Sequence, residues 1–192
     1  MNLYLFKLIN GLATKNLLLD KVMVAFSKYV PYVFMLMIVI VFLLGVFKNK
    51  EDYRKIAFST FIFTVFNLIL AYIIGGVYYV DRPFVHNKVN LLSPHVADAS
   101  FPSDHATGTM SIALGLGKYS NLLRKILMVL SIIVGFSRIY VGHHYPADVI
   151  GAYIMVLVTN YLYNSMLRGK IENIYAKIEK FTIKKLVLIK VL

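Results

Sequence analysis

Two stretches of the chain run without a single charge for about the width of a bilayer: Tyr29 to Phe47 and Ile56 to Val80. A helix needs on the order of 20 apolar residues to cross the hydrocarbon, so each stretch predicts a transmembrane helix. His105 to Gly117 is a shorter run whose glycines, Gly108, Gly115 and Gly117, let neighbouring helices approach closely. Its polar start makes it a span only where protein surrounds it. Ile126 to Phe136 continues through Ser137 and Arg138 to Gly142, and Val149 to Leu167 is again free of charge. The pattern predicts an all-α, integral membrane helical bundle of about five to six transmembrane helices.

Both ends read differently. Between residues 2 and 28, lysines interrupt short runs of Leu, Ile, Phe and Val, the pattern of one or two interfacial amphipathic helices. A sixth, imperfect span there would turn the N-terminus inside. Lys7, Lys15 and Lys21 break up any long apolar run, and no small-residue cleavage site follows one, so no removable signal peptide is expected. From Arg168 to Leu192, seven basic and two acidic residues alternate with Ile, Leu, Val and Phe. That makeup suits a basic amphipathic helix lying on an anionic cytoplasmic leaflet, with a plain positive-inside anchor as the simpler account. Nothing in the 192 residues reads as a linker or repeat, so 1–192 is expected to form one domain.

Composition agrees, with 59% hydrophobic residues, 16% charged residues and a mean hydropathy of +0.70. The absence of cysteine excludes disulfides. A net charge of +12 raises the question of nucleic acid, but the basic residues are spread over short inter-helix segments, as in cytoplasmic membrane loops. Lys48, Lys50, Arg54 and Lys55, then Lys118, Arg124 and Lys125, then the tail contribute fourteen basic residues to one side, against seven on the other if the N-terminus lies outside. The fourteen are assigned to the cytoplasm. The segment from Asp81 to Asp104 and the turn from Tyr140 to Asp148 then share the outer face.

Those two segments hold nearly all the unusual polar residues. His144 and Asp148 are four apart, and with Pro146 in the first turn of the last span they share a helical face, so Asp148 is expected to bond one imidazole nitrogen and leave the other free. A simple interfacial helix cap explains that pair equally well on spacing alone. Ser103 reads as an N-cap before His105, at a helix terminus whose free amides attract phosphate. Standing there, His105 is placed to act as a general acid, though a capping segment with a solvent-facing histidine has the same appearance. Arg82 ends an uncharged run, where snorkelling is the bland explanation, whereas Arg138 lies within an apolar segment and calls for a partner. Guanidinium groups hold phosphate oxygens with paired hydrogen bonds.

The ordered trio resembles the type 2 phosphatidic acid phosphatase family, whose motifs are Lys, six residues, Arg-Pro; Pro-Ser-Gly-His; and Ser-Arg, five residues, His, three residues, Asp. Ser137, Arg138, His144 and Asp148 match the third motif fully. Pro102, Ser103 and His105 match the second, with Asp104 in place of glycine. Only Arg82 and Pro83 match the first, because Gly75 stands at the lysine position; Lys88 is one candidate to compensate. The stretch Arg82 to Val85, Pro94-His95 and Ala97 to His105 is similar to the bacitracin-resistance type of undecaprenyl-diphosphate phosphatase within that family. The likeness covers roughly residues 2 to 167.

The resemblance implies catalytic roles for His144 as nucleophile, His105 and Asp148. It implies a phosphate-binding set of Arg82, Pro83, Ser103, Asp104 and Arg138, with no metal and no cofactor. The implied substrate is a polyprenyl diphosphate, hydrolysed through a phosphohistidine at the outer face of a bacterial plasma membrane, with recycling of a cell-wall carrier lipid and bacitracin resistance as consequences. No nucleic-acid partner is expected, and the oligomeric state is open. Phosphatidic acid and phosphatidylglycerol phosphate are the runner-up substrates. A metal-dependent hydrolase lacks its His-Glu-x-x-His spacing here, and a lipid-phosphate transporter or flippase would bind the same head group without chemistry. His143 is expected to be structural at a polar interface; His95, Asp98 and Asp104 are candidates to tune the loop, with Asp98 also a candidate to recruit a divalent ion.

Overall fold

Asn16, Pro31, Ser120 and Pro146 punctuate the chain at helix starts. The computed structural model describes residues 1–191, with side chains described through Thr182. Among the described residues the helices are α1 (Asn2–Asn10), α2 (Leu17–Lys28), α3 (Val30–Phe47), α4 (Glu51–Val77), α5 (Pro83–His86), α6 (Asp104–Gly115), α7 (Asn121–Tyr140), α8 (Pro146–Leu162) and α9 (Arg168–Val191), with no strand. The Asn16 side chain accepts from Leu19 N (3.1 Å) and Ser120 Oγ from Leu123 N (3.2 Å), each satisfying an amide that the first turn leaves unpaired.

Polarity is inverted relative to a water-soluble bundle. Leu36, Ile40 and Leu43 of α3, Phe66 and Ile69 of α4, and Ile154 and Leu157 of α8 are exposed, while Ser59, Thr60, Thr64 and Asn67 of α4 are buried. An apolar exterior over a polar-seamed interior fits a hydrocarbon surround. Among the described residues, three helical stretches are long and apolar enough to cross a membrane by length and composition: α3, α4 and the run Pro146–Thr182. Helices α6 and α7 complete a five-helix bundle with α3, α4 and α8. At 12 residues α6 is short, about 18 Å, and it is the centre, packed against α3, α4, α7 and α8 with eight of its residues buried.

Protein does surround the polar start of α6, as its apolar run requires. Two of its buried hydroxyls return to its own backbone, with Thr109 Oγ1 donating to His105 O (2.7 Å) and Ser111 Oγ to Thr107 O (2.7 Å). A side chain at Gly115 would collide with Thr60, so the close approach of α6 to α4 depends on that glycine. Phe34, Val41, Ala57, Ile112, Ala113, Leu116 and Leu127 form the core at this end.

The N-terminal segment forms two short helices, which pack on α7 and α8 beside the 141–145 turn. Asn10 fastens them: its Nδ2 donates to Asn90 O (2.9 Å) and Tyr140 O (2.8 Å), and its Oδ1 accepts from Asn90 N (2.8 Å). The C-terminal tail is a helix, as its makeup predicts, and it is also seated against the bundle. Helix α9 docks on the α3–α4 hairpin, where Glu179 pairs with Arg54 (2.6 Å) and Tyr175 packs on Phe42 and Phe58. The tail lysines Lys184, Lys185 and Lys190 lie outside the described side chains.

Candidate active site

The turn between α7 and α8 carries His144 into the protein, with 1% of its surface exposed. Its Nδ1 donates to the carbonyl oxygen of Ser100 (2.8 Å), which fixes the tautomer and leaves Nε2 with a lone pair. That lone pair faces Arg82 Nη1 at 2.9 Å. Burial, then the charges of Arg138 and Arg82, push the imidazole well below its usual range, so it is neutral near pH 7.

Asp148 does not bond His144 directly, contrary to the expectation from their spacing. The two are 3.6 Å apart, because Nδ1 is taken by the Ser100 carbonyl. The Asp148 carboxylate instead accepts from the Ser100 hydroxyl and from Tyr145 N (2.8 Å). It therefore caps α8 and steadies His144 through Ser100. Of the two readings of the pair, the helix cap is the one the structure shows, and Ser100 is the member that sequence spacing misses.

Arg82 is buried at 2% exposure, so it does not snorkel. Pro83, which has no donor, starts α5 and sets Arg82 at its N-cap. The guanidinium donates from Nε to Asp98 Oδ1 (2.7 Å), from Nη1 to His143 O (3.1 Å) and from Nη2 to Ala99 O (3.3 Å). Arg138 is the opposite case. It is equally buried, yet its one hydrogen bond goes from Nη1 to Ser27 Oγ (2.8 Å) on α2, and Nε and Nη2 have no partner among the described residues. A buried cation with unused donors is costly without an anion.

Ser103 stands at the N-cap of α6 as expected, but its hydroxyl makes no capping bond; it is buried and unpartnered, as is Thr107 Oγ1 one turn on. The first helical bond runs from Thr107 N to Ser103 O (2.9 Å), so the amides of Asp104, His105 and Ala106 precede the ladder. Asp104 is exposed, and as an ionised carboxylate it has no donor for a phosphate oxygen. His105 borders two spaces. One is a cavity of about 220 Å³ lined also by Ser27, Lys28, His95, Arg138 and His143. The other is an almost wholly apolar groove of about 200 Å³ between α3, α4 and α6, lined by Met35, Leu68, Gly108 and Ile112.

His143 is buried, donates from Nε2 to Ser93 O (2.9 Å) and leaves Nδ1 unpartnered beside the cavity; burial and Arg138 push it down to about 3. His86 is apart from these groups, in an exposed pair with Asp81. Lys88 lines a different cavity, with Phe6, Lys7 and Asn10, and does not replace the missing motif lysine. Among the described residues, no three His, Asp or Glu side chains stand together as a metal site.

Comparison with known proteins gives the class. Undecaprenyl-diphosphatase BcrC of Bacillus subtilis is 36% identical over 163 residues, 85% of this chain and 82% of that protein. The crystal structure of Aquifex aeolicus LpxE matches with a TM-score of 0.67 and 26% identity, covering 85% of this chain and 94% of that one. A transmembrane PAP2 type phosphatidylglycerolphosphate phosphatase from Bacillus subtilis, 19% identical, shares the fold with a TM-score of 0.54 over 86% of this chain and 87% of that one. An all-helical bundle with these relatives is a membrane-embedded lipid phosphatase. The model of the PAP2 superfamily matches residues 52–170, and the chain belongs to that family.

Proposed function

We propose that the protein hydrolyses the terminal phosphate of a polyprenyl diphosphate, undecaprenyl diphosphate being the substrate that the relative's name favours, to the lipid monophosphate and inorganic phosphate. The observation that carries this reading is the position of His105, which among the described residues is the one that borders both the cationic cavity and the apolar groove. A lipid diphosphate has that same junction, with a polyanionic head on one side and a hydrocarbon chain on the other.

In the proposed reaction the diphosphate head draws Arg82 away from His144 and takes up the unused donors of Arg138, the Ser103 hydroxyl and the first amides of α6. His144 Nε2 attacks the phosphorus as the bridging P–O bond breaks, and His105 gives its proton to the departing lipid phosphate. The phosphorylated imidazole is cationic, and its Nδ1–H stays on the Ser100 carbonyl with Asp148 behind it. Water, deprotonated by His105, then breaks the P–N bond and releases phosphate. The basic segments cluster at the opposite end of the bundle, which supports an outer-face site in a bacterial plasma membrane. Recycling of the carrier lipid, and with it bacitracin resistance, are the cellular consequences of this reading.

Phosphate release by purified protein from undecaprenyl diphosphate, phosphatidic acid and phosphatidylglycerol phosphate tests the substrate. The diphosphate should be preferred, vanadate should inhibit, and a chelator should leave the rate unchanged. His144→Ala should lower turnover by at least about 10³-fold. Retained turnover removes His144 as the nucleophile, and binding without release by the wild type makes the protein a carrier.

A further inference from the structure

Glycine stands at the position of the family's motif lysine, and a side chain there would crowd the loop before α6. A Cβ on Gly75 would stand 3.1 Å from Ala99 Cβ and 3.2 Å from Phe101 O, because the loop before α6 lies over that position. The cavity beside His105 offers a cation from a different element. Lys28, the last residue of α2, lines it together with Arg138 and His143, and the residue before it, Ser27, takes the single hydrogen bond that Arg138 makes. Lys28 is exposed and has no salt bridge among the described residues; its ammonium lies 5.4 Å from the Tyr29 ring centroid.

The cavity wall is built for an anion. Two buried guanidinium donors of Arg138 are unused. At about 220 Å³ the cavity has room for a phosphate group.

We propose that this cavity is a second phosphate subsite, and that Lys28 supplies the cation that binds the non-reacting phosphate of a diphosphate lipid. This deepens the functional reading above and rests on it. The physical reason is charge: a diphosphate ester carries up to one more negative charge than a monophosphate, and two buried arginines leave that charge unmatched. A flexible lysine at the cavity mouth stays hydrated while the site is empty and closes on the phosphate as a point charge. The N-terminal helix thereby sets the preference for diphosphate.

The test uses full-length protein in detergent, with inorganic pyrophosphate and orthophosphate as probes and the thermal shift they produce as readout. Lys28→Met should weaken pyrophosphate binding about tenfold, or ~1.4 kcal/mol, and orthophosphate binding less than about twofold. Lys28→Arg should retain the discrimination. Equal weakening of both anions, or no weakening of pyrophosphate, overturns the proposal. Because the readout needs no turnover, it stays separate from the functional reading: wild type that releases phosphate only from monophosphate lipids defeats that reading, while the two anions still decide the role of Lys28. In turnover, the same substitution should lower kcat/KM for a polyprenyl diphosphate through KM and leave the monophosphate nearly unchanged.

Discussion

At the scale of single residues, the site depends on a relay that crosses 44 residues of sequence, from His144 to Ser100, and returns to Asp148. Ser100 serves twice: its carbonyl holds Nδ1–H of the histidine, and its hydroxyl satisfies the buried carboxylate. Ser100→Ala keeps the first contact and removes the second, leaving Asp148 with Tyr145 N alone. The expected result is a fall in kcat of roughly 10- to 100-fold with little change in KM, since the loss falls on orientation of His144, the proposed nucleophile, and not on phosphate contact. Steady-state rates on one substrate check it, and a change confined to KM would argue against the relay. The four-residue spacing of His144 and Asp148 made a direct bond legible; the actual intermediary carries no periodicity, because it lies in a loop, where side-chain direction follows from tertiary packing. Arg138 was legible for the opposite reason. A charge inside an apolar run is conspicuous, and its unused donors are what that position implied.

At the scale of elements, the sequence distinguishes helices by their surroundings as much as by their propensity. The uncharged runs that became α3 and α4 face lipid and read clearly. Helix α6 is polar enough to look doubtful in isolation, and it forms because protein encloses it and the hydroxyls of Thr109 and Ser111 close on its own carbonyls. Helix α9 reads as a surface helix since its anchoring pair, Arg54 and Glu179, joins positions 125 apart. The N-terminal helices likewise show amphipathic character but not their seat, which Asn10 creates by bonding both Asn90 and the end of α7. Asn10→Ala should strand the buried Tyr140 carbonyl and the Asn90 backbone groups and lower stability by about 2 kcal/mol. Thermal unfolding in detergent measures that. Because α2 carries Ser27 to Arg138, partial detachment should also raise KM in the folded variant.

At the scale of the whole molecule, the fold gathers cations around His143 and His144, which it keeps neutral, and that choice links stability to acidity. His143 is pushed down to about 3, and His144 and His95 are lowered from 6.5, chiefly by burial, with Arg138 and Arg82 adding to the effect. For each of these groups the unfolded chain binds a proton at a higher pH than the folded one. Stability therefore rises with pH between the folded and unfolded values: it is complete above 6.5 and declines as the pH falls toward about 3. At pH 5, His143 alone accounts for a loss of about 2 kcal/mol, from 1.5 units at 1.36 kcal/mol each. Carboxylates that lose their charge on acidification also contribute, so the slope by itself does not isolate the histidines. His143→Gln does, because it fills a similar volume with a side chain that cannot titrate. The melting temperature of the wild type should fall between about pH 7 and pH 5, and that of His143→Gln should fall less across the same interval. A parallel slope in the two proteins would mean that His143 already carries a proton in the folded state, and the cavity it shares with Arg138 would then be more cationic than its burial allows.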